Sequence, residues 1–491
     1  MRKCILFVVS IWLIQLTILA QSRVIEISPE KGKDNENLML ALEKAAGYKG
    51  KPVTVRLSPG IYELDRSKST QVLYHISNTT SESEDPDPTK HIGLYLHSLK
   101  NITIDGCGST LQMNGEMTSF VLDRCEGIIL KNLNIDYKHP TQTEVEVLEE
   151  GKDYLIVQVH PTSQYRIVDE QLEWYGDGWS FKNGIAQSYD RASNMTWRSW
   201  SPMENLIRAV ELRPNVLYLQ YKEKPQVGLH IVFQMRDSFR DEVSGFVNRS
   251  KNVQLENLNF YYLGNFGVVC QYSENVTFDR CNFAPRPDSG RTNAGFADFI
   301  QVSGCRGMID IRNSRFSGAH DDPINIHGTH LRVMEFLSPN RLKVRFMHDQ
   351  TFGFEAFFKG DDIELVDPLS LLAVEKAKVK EAKLVTPHEM ELTLSGPLSP
   401  EVIQRKDLVV ENVLWTPEVR ITNNYFERIP TRGILITTRR KSLIEGNTFY
   451  GMQMSGILVA DDGLSWYESG PVHDLTIRRN TFLNCGEPVI N

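Results

Sequence analysis

Val253-Gln-Leu-Glu-Asn-Leu-Asn-Phe260 returns, with its apolar positions kept, as Val276-Thr-Phe-Asp-Arg-Cys-Asn-Phe283, Ile309-Asp-Ile-Arg-Asn-Ser-Arg-Phe316, Val419-Arg-Ile-Thr-Asn-Asn-Tyr-Phe426 and Leu475-Thr-Ile-Arg-Arg-Asn-Thr-Phe482. Looser copies run from Ser442 to Phe449 and from Ile128 to Ile135, and Asn101 to Asp105 is a fragment of one. Each copy alternates apolar and polar residues over a short strand, passes through a polar turn and ends on an apolar residue that re-enters a core. The terminal apolar residues fall at 135, 260, 283, 316, 426, 449 and 482, with a shortest interval of 23 residues; insertions in single coils account for the longer ones. A period this short, with strands and no helical spacing, predicts an all-β chain folded as a right-handed parallel β-helix, in which a coil buries its apolar face only against its neighbours. A β-propeller needs about 40 residues per blade and fits less well.

Two stretches lack the phrase and divide the chain. We expect N-terminal β-helix coils at 21–135, an inserted β-domain at 136–245, central coils at 246–329, a second inserted β-domain at 330–415 and C-terminal coils at 416–491. Strand-like alternation at Glu144 to Leu148, Tyr154 to Val159, Leu342 to Phe346 and Met390 to Leu394 makes both insertions small barrel-like or sandwich β-domains. Coils that carry large insertions are where a functional site is expected. The chain ends at Asn491, barely past a phrase, so the stack is expected to be incomplete.

The composition of the 491 residues is that of an ordinary globular protein, with 41% hydrophobic and 24% charged residues, which excludes disordered, collagen-like and disulfide-scaffold classes. Lys and Arg number 54 against 62 Asp and Glu, a net charge of −8 with no basic stripe. Nucleic acid and membrane insertion are therefore not expected; the partner is a neutral molecule. Residues 1–20 read as a signal peptide, with Arg2 and Lys3 before a largely apolar run from Ile5 to Leu19 and cleavage near Ala20. Export, periplasmic or secreted, follows from that reading. The six later cysteines, at 107, 125, 270, 281, 305 and 485, lie in or beside coil phrases without a C-x-x-C spacing. They are expected as buried single thiols.

A second repeated pattern begins strands at Phe266-Gly-Val-Val-Cys270, Asp298-Phe-Ile-Gln-Val302, Asp322-Pro-Ile-Asn-Ile326, Arg432-Gly-Ile-Leu-Ile436 and Ser455-Gly-Ile-Leu-Val459. Aligned so, Asp298 and Asp322 occupy one place on successive coils, about 4.8 Å apart, and Asp321 adds a third acid. Strict alternation would point the first position inward, so a corner that turns it outward is expected there. Crowded carboxylates repel, which raises at least one pKa and keeps a proton near neutrality, the requirement of an acid/base pair for glycoside hydrolysis.

Around these acids, His320, His327, Asn325 and Gln301 are candidate substrate contacts, and Arg432 on the next coil either meets a sugar hydroxyl or orients a carboxylate. His and Asp in His320-Asp-Asp-Pro-Ile-Asn-Ile-His327-Gly-Thr-His330 do not converge at zinc-site spacings, so no metal is expected. Asp461-Asp462-Gly has no partner in register and reads as a solvated turn. Trp174-Tyr-Gly-Asp-Gly-Trp179 offers aromatic faces for sugar stacking, or a domain core.

Ala297-Asp298-Phe-Ile-Gln with His320-Asp-Asp-Pro-Ile-Asn-Ile resembles the catalytic segments of pectinase-like β-helix hydrolases. That resemblance implies Asp321 as general acid and Asp298 with Asp322 as the base pair. Arg432-Gly stands where the polygalacturonases carry Gly-His-Gly, and no Arg-x-Lys clamp for a uronic carboxylate is seen. Across essentially the whole chain, Gly295-Phe-Ala-Asp298, His320-Asp-Asp-Pro-Ile-Asn-Ile-His327-Gly and Trp174-Tyr-Gly-Asp-Gly-Trp179 are more similar to glycoside hydrolase family 110, the bacterial exo-α-1,3-galactosidases. This implies an inverting enzyme, of Bacteroides-type gut bacteria, that uses no cofactor and removes terminal α-1,3-linked galactose from oligosaccharides and glycoconjugates, including the blood group B antigen; the family has a subgroup restricted to branched acceptors and one that also takes linear α-1,3-galactosides, and these residues do not assign the chain to either. Members of that family are usually longer. Rival readings are a polysaccharide lyase, polygalacturonase or epimerase on a uronate polymer, and a non-catalytic carbohydrate-binding β-helix. Oligomeric state is not readable from the sequence.

Overall fold

The computed structural model describes residues 23–491; residues 1–20, read above as a signal peptide, lie outside the described residues. The repeated phrase forms a parallel ladder running through Glu126–Tyr137, Lys251–Phe260, Glu274–Asp279, Arg306–Arg312, Glu418–Thr422, Ser442–Glu445 and Leu475–Arg478. A second face stacks Thr118–Asp123, Val243–Asn248, Phe266–Gln271, Ile300–Ser303, Ile324–Thr329, Ile434–Ile436 and Ile457–Val459. Between them lies one continuous apolar core that runs from Ile25 to Ile457.

The last residue of each phrase explains the register. Ile135, Phe260, Phe283, Phe316, Phe426, Phe449 and Phe482 are partners across successive coils. The six phenylalanines stack with centroids 4.6–4.9 Å apart and ring planes within 9°. A slip by one residue would turn the whole column to solvent. The turn before each ring is fixed twice. Its fifth position is left-handed in every coil, at Asn132, Asn257, Arg280, Asn313, Asn423, Gly446 and Arg479, and Asn tolerates that region because its short amide bonds locally. The sixth position makes a buried polar rail: Ser314 Oγ accepts from the Cys281 amide (3.0 Å), Asn424 Oδ1 from Ser314, Asn447 Oδ1 from Asn424 and Asn480 Oδ1 from Asn447 (each 2.9 Å).

The first insertion is a seven-stranded antiparallel sheet ordered Met195–Ser199, Ile185–Asp190, Ile231–Arg236, Thr143–Glu150, Tyr154–Val159, Val216–Tyr221, Leu206–Arg213, with a three-stranded sheet from Tyr165 to Phe181. The second is a closed six-stranded barrel that starts at Leu331–Ser338 and returns through Val409–Asn412. Two expectations fail. A helix at Asp34–Ala46 covers the end of the core with Leu38, Ala41, Leu42 and Ala45, a 3.6-residue spacing inside a segment read as β-coils. Among the thiols, Cys125, Cys270, Cys281 and Cys305 are buried, but Cys107 is exposed in a left-handed turn and Cys485 is half-buried. Among the described residues no helix is long and apolar enough to cross a membrane.

Deleting one ring of the stack removes a fully buried side chain in contact with two others. Phe316→Ala is expected to cost about 3–5 kcal/mol in denaturant unfolding followed by circular dichroism. Tyr425→Ala, the exposed residue beside the stack on the next coil, is expected to cost under about 1 kcal/mol. Equal costs would remove the stack from its role in stability.

Candidate active site

Ile300, Ile324, Ile434 and Ile457 are register partners, which places Asp298, Asp322 and Arg432 at one position on three successive coils. The chain bends at Asp321 and Pro323 just before the strand Ile324–Thr329 begins, so strand alternation does not reach the acids. The coil behind approaches closely here. A Cβ on Gly267 would lie 2.2–2.4 Å from the backbone of Asp298 and Phe299, so only glycine fits under the first acid.

The three carboxyls have different surroundings. Asp322 is clamped by Arg432, whose amide and Nε donate to Oδ1 (3.1 and 3.0 Å) while Nη2 lies 2.7 Å from Oδ2. Asp321 is the most open, with 17% of its side chain exposed, and sits between two guanidinium groups of the first insertion: Arg198 Nη2 at 3.4 Å from Oδ1 and Arg240 Nη2 at 3.4 Å from Oδ2. Asp298 is buried. Burial, and then the charges of Asp321 and Asp322, push its carboxyl well above the usual range. Burial and then Asp321 raise Asp322 to about 6, against the pull of Arg432. Crowding was the expected cause; burial is the larger one. A fourth arginine, Arg236, lies buried 4.1 Å over the Phe296 ring, and its pKa is brought down to about 9 first by burial and then by Arg240.

The first insertion is held over this corner by buried hydrogen bonds. His320 Nε2 donates to Gln234 Oε1 (3.2 Å), and burial keeps its ring neutral by pushing its pKa well below the usual value. Gln234 Nε2 donates to Thr292 Oγ1 (2.6 Å), and Glu144 accepts from the Thr292 amide (3.0 Å) and from Asn293 Nδ2 (2.6 Å) just before Asp298. Read as a substrate contact, His320 instead ties the insertion to the coil. Arg432, offered as a possible sugar ligand, is engaged with Asp322. Trp174 and Trp179 are corrected outright: Trp174 is fully buried with Nε1 on the Met203 sulfur (3.2 Å), Trp179 is buried against Phe181, and both belong to the core of the first insertion. Asp462 caps its turn as expected, but Asp461 is 3.2 Å from buried His330.

Beyond the acids the floor is polar. His327 Nδ1 donates to the Gly328 carbonyl (2.6 Å) and Nε2 accepts from Gln301 Nε2 (3.1 Å). Gln301 and Asn325 are register partners. Gln301 Oε1 and Asn325 Oδ1 are buried acceptors with no protein donor among the described residues, so each has a lone pair free for an outside donor. The sequence reading missed Glu468. Its strand Glu468–Ser469 pairs antiparallel with Gly328–Thr329, and its Oε1 accepts from Asn325 Nδ2 and Asn78 Nδ2 (both 3.2 Å). No coil phrase marks Glu468, and no repeat marks Arg198, Arg236 or Arg240. Among the described residues no group of three or more His, Cys, Asp or Glu is arranged to hold a metal ion.

The architecture defines a parallel β-helix with two inserted β-domains and an acid corner between them. Residues 142–231 match the family model of GLAA-B beta-barrel domain I, residues 341–409 that of GLAA-B beta-barrel domain II, and residues 409–491 that of a right handed beta helix region. Alpha-1,3-galactosidase A of Bacteroides thetaiotaomicron is 86% identical over 482 residues, spanning 98% of this chain and 85% of that one. Alpha-1,3-galactosidase A of Bacteroides fragilis is 38% identical over 87% of this chain and 71% of its own, and alpha-1,3-galactosidase B of B. thetaiotaomicron is 31% identical over 98% and 78%. The chain belongs to the α-1,3-galactosidase family, glycoside hydrolase family 110.

The raised carboxyl of Asp298 has a thermodynamic sign. A group whose pKa is higher in the fold than in the unfolded chain contributes stability below its unfolded pKa and loses it as pH rises through the folded value. Asp298→Asn cannot lose a proton. Its thermal midpoint is expected to match wild type near pH 4 and to exceed it increasingly toward alkaline pH. A constant gap at all pH values would show that Asp298 ionises in the fold as it does in water.

Proposed function

We propose that the protein is an exo-acting, inverting α-1,3-galactosidase that hydrolyses terminal α-1,3-linked galactose on oligosaccharides and glycoconjugates, including the blood group B antigen. The observation that carries the reading is the shared register of Asp298 and Asp322 with Asp321 beside them. Family membership and the buried hydroxyl-seeking floor of Gln301, Asn325 and Glu468 support a sugar substrate. The basic-then-apolar start of the chain supports action after export.

In the proposed reaction Asp321 gives its proton to the glycosidic oxygen as that oxygen's bond to the anomeric carbon breaks. Arg198 and Arg240 stabilise the carboxylate this leaves. Asp298 and Asp322 act as a coupled pair holding one proton between them at neutrality, and the ionised member takes a proton from water as the water oxygen bonds the opposite face of the anomeric carbon. A carboxylate raised to about 6, as at Asp322, is a stronger base than an ordinary Asp and still largely ionised at pH 7. Arg432 fixes its orientation. Return of the proton to Asp321 through solvent completes the cycle.

Proton NMR of Galα1-3Gal hydrolysis is expected to show β-galactose first; early α-galactose would overturn inversion. Asp321→Asn is expected to lose about 10²–10⁴-fold in kcat on the disaccharide and far less on α-galactosyl fluoride, whose leaving group needs no proton. Asp298→Asn and Asp322→Asn are expected to lose activity on both. Wild-type turnover of the disaccharide by Asp321→Asn would remove it from the acid role.

A further inference from the structure

A cleft of about 500 Å³ opens between three segments far apart in sequence: Glu84 from a loop of the N-terminal coils, His348 and Gln350 from the second insertion, and Leu464 and Tyr467 from the loop before Glu468. It adjoins the acid corner through two links. Arg240, which touches Asp321, acts electrostatically on both Glu84 and His348. Thr351, next to Gln350, bonds Asn78, whose Nδ2 donates to Glu468 over the floor.

His348 and fixed polar groups line the cleft, and Trp466, between the lining residues Ser465 and Tyr467, packs on His348 from beside it. Trp466 is 41% exposed and stacks on His348 with centroids 4.3 Å apart and planes 21° from parallel. Burial lowers the His348 pKa, so the pair is an uncharged face. The Trp466 loop is held in place: Asp462 accepts from the amides of Leu464 (2.8 Å), Ser465 (3.0 Å) and Trp466, and the Tyr467 carbonyl accepts from the His330 amide (2.8 Å). Across the cleft Glu84 accepts from the Ser81 amide (2.8 Å) and Gln350 Nε2 (3.0 Å), and against the effect of burial these bonds hold its carboxyl below the usual range. A fixed carboxylate opposite a flat, uncharged aromatic pair matches a pyranose, which presents hydroxyls at its edge and C–H groups on its face. Because both walls are held before binding, little ordering entropy is lost when a ring docks.

We infer that this cleft is the acceptor subsite, which binds the hexopyranose residues on the leaving-group side of the scissile bond, with His348 and Trp466 as the stacking platform and Glu84 as the hydroxyl acceptor. The inference rests on the galactosidase reading and extends it. Tyr467, which lines the cleft, directly precedes Glu468 of the floor, so the cleft borders the site from which the remainder of an exo-cleaved chain must leave.

The experiment compares kcat/KM for the trisaccharide Galα1-3Galβ1-4GlcNAc with that for α-galactosyl fluoride, which has no acceptor sugar. Trp466→Ala is expected to lower the ratio of the two about five- to tenfold, mainly through KM for the trisaccharide. Trp466→Tyr is expected to recover most of it, which separates the platform from a folding defect. The product Galβ1-4GlcNAc is expected to give saturation-transfer NMR signals with wild type that Trp466→Ala loses. An unchanged ratio, or lactosamine signals that survive the substitution, would overturn the subsite while leaving the galactosidase reading intact. A wild type that hydrolyses neither substrate would overturn both.

Discussion

Everything in this protein depends on the coils staying in register, and the strongest register device is the column of six parallel phenylalanine rings with the polar rail beside it. Each offset aromatic pair contributes roughly 0.5–1.5 kcal/mol beyond its burial. The rail adds direction, because its Asn and Ser side chains accept only from the coil before them. The acid corner inherits this constraint. Asp298 and Asp322 hold one position on neighbouring coils because two strands on another face of the same coils have no freedom to slip.

The site is assembled against electrostatic cost. Two buried carboxyls with raised pKa values and a third acid beside them would be untenable without the arginines. Arg432 comes from the next coil and Arg198 and Arg240 from the first insertion, so Asp322 and Asp321 are compensated by different elements while Asp298 is left buried. The insertion is fastened through His320, Gln234, Thr292 and Glu144, which explains a neutral buried histidine beside the acids better than a direct role on substrate.

What the sequence disclosed follows from where repetition constrains it. The Phe column and the shared place of Asp298, Asp322 and Arg432 were legible because a parallel stack forces equivalent residues into line. Arg198, Arg236, Arg240 and Glu468 lie outside the repeats, and nothing in their local sequence distinguishes a site charge from a surface charge. Trp174 and Trp179 misled for a physical reason: aromatic residues around glycines look the same whether they form a hydrophobic core or a sugar platform, and here they form a core. The helix Asp34–Ala46 carried its 3.6 spacing openly, but in a single copy, where a search for repeats passes over it.

Arg432 lies 110 residues after the Asp322 it clamps, with the whole second barrel between them, and Glu468 comes later still. On a chain made from its N-terminus, the acids therefore emerge and stack well before the groups that orient them. At that stage Asp321 already has Arg198 and Arg240 beside it, while Asp322 lacks its clamp and Asn325 its Glu468 partner. The acid corner is complete only once the coils that carry Arg432 and Glu468 close onto the stack.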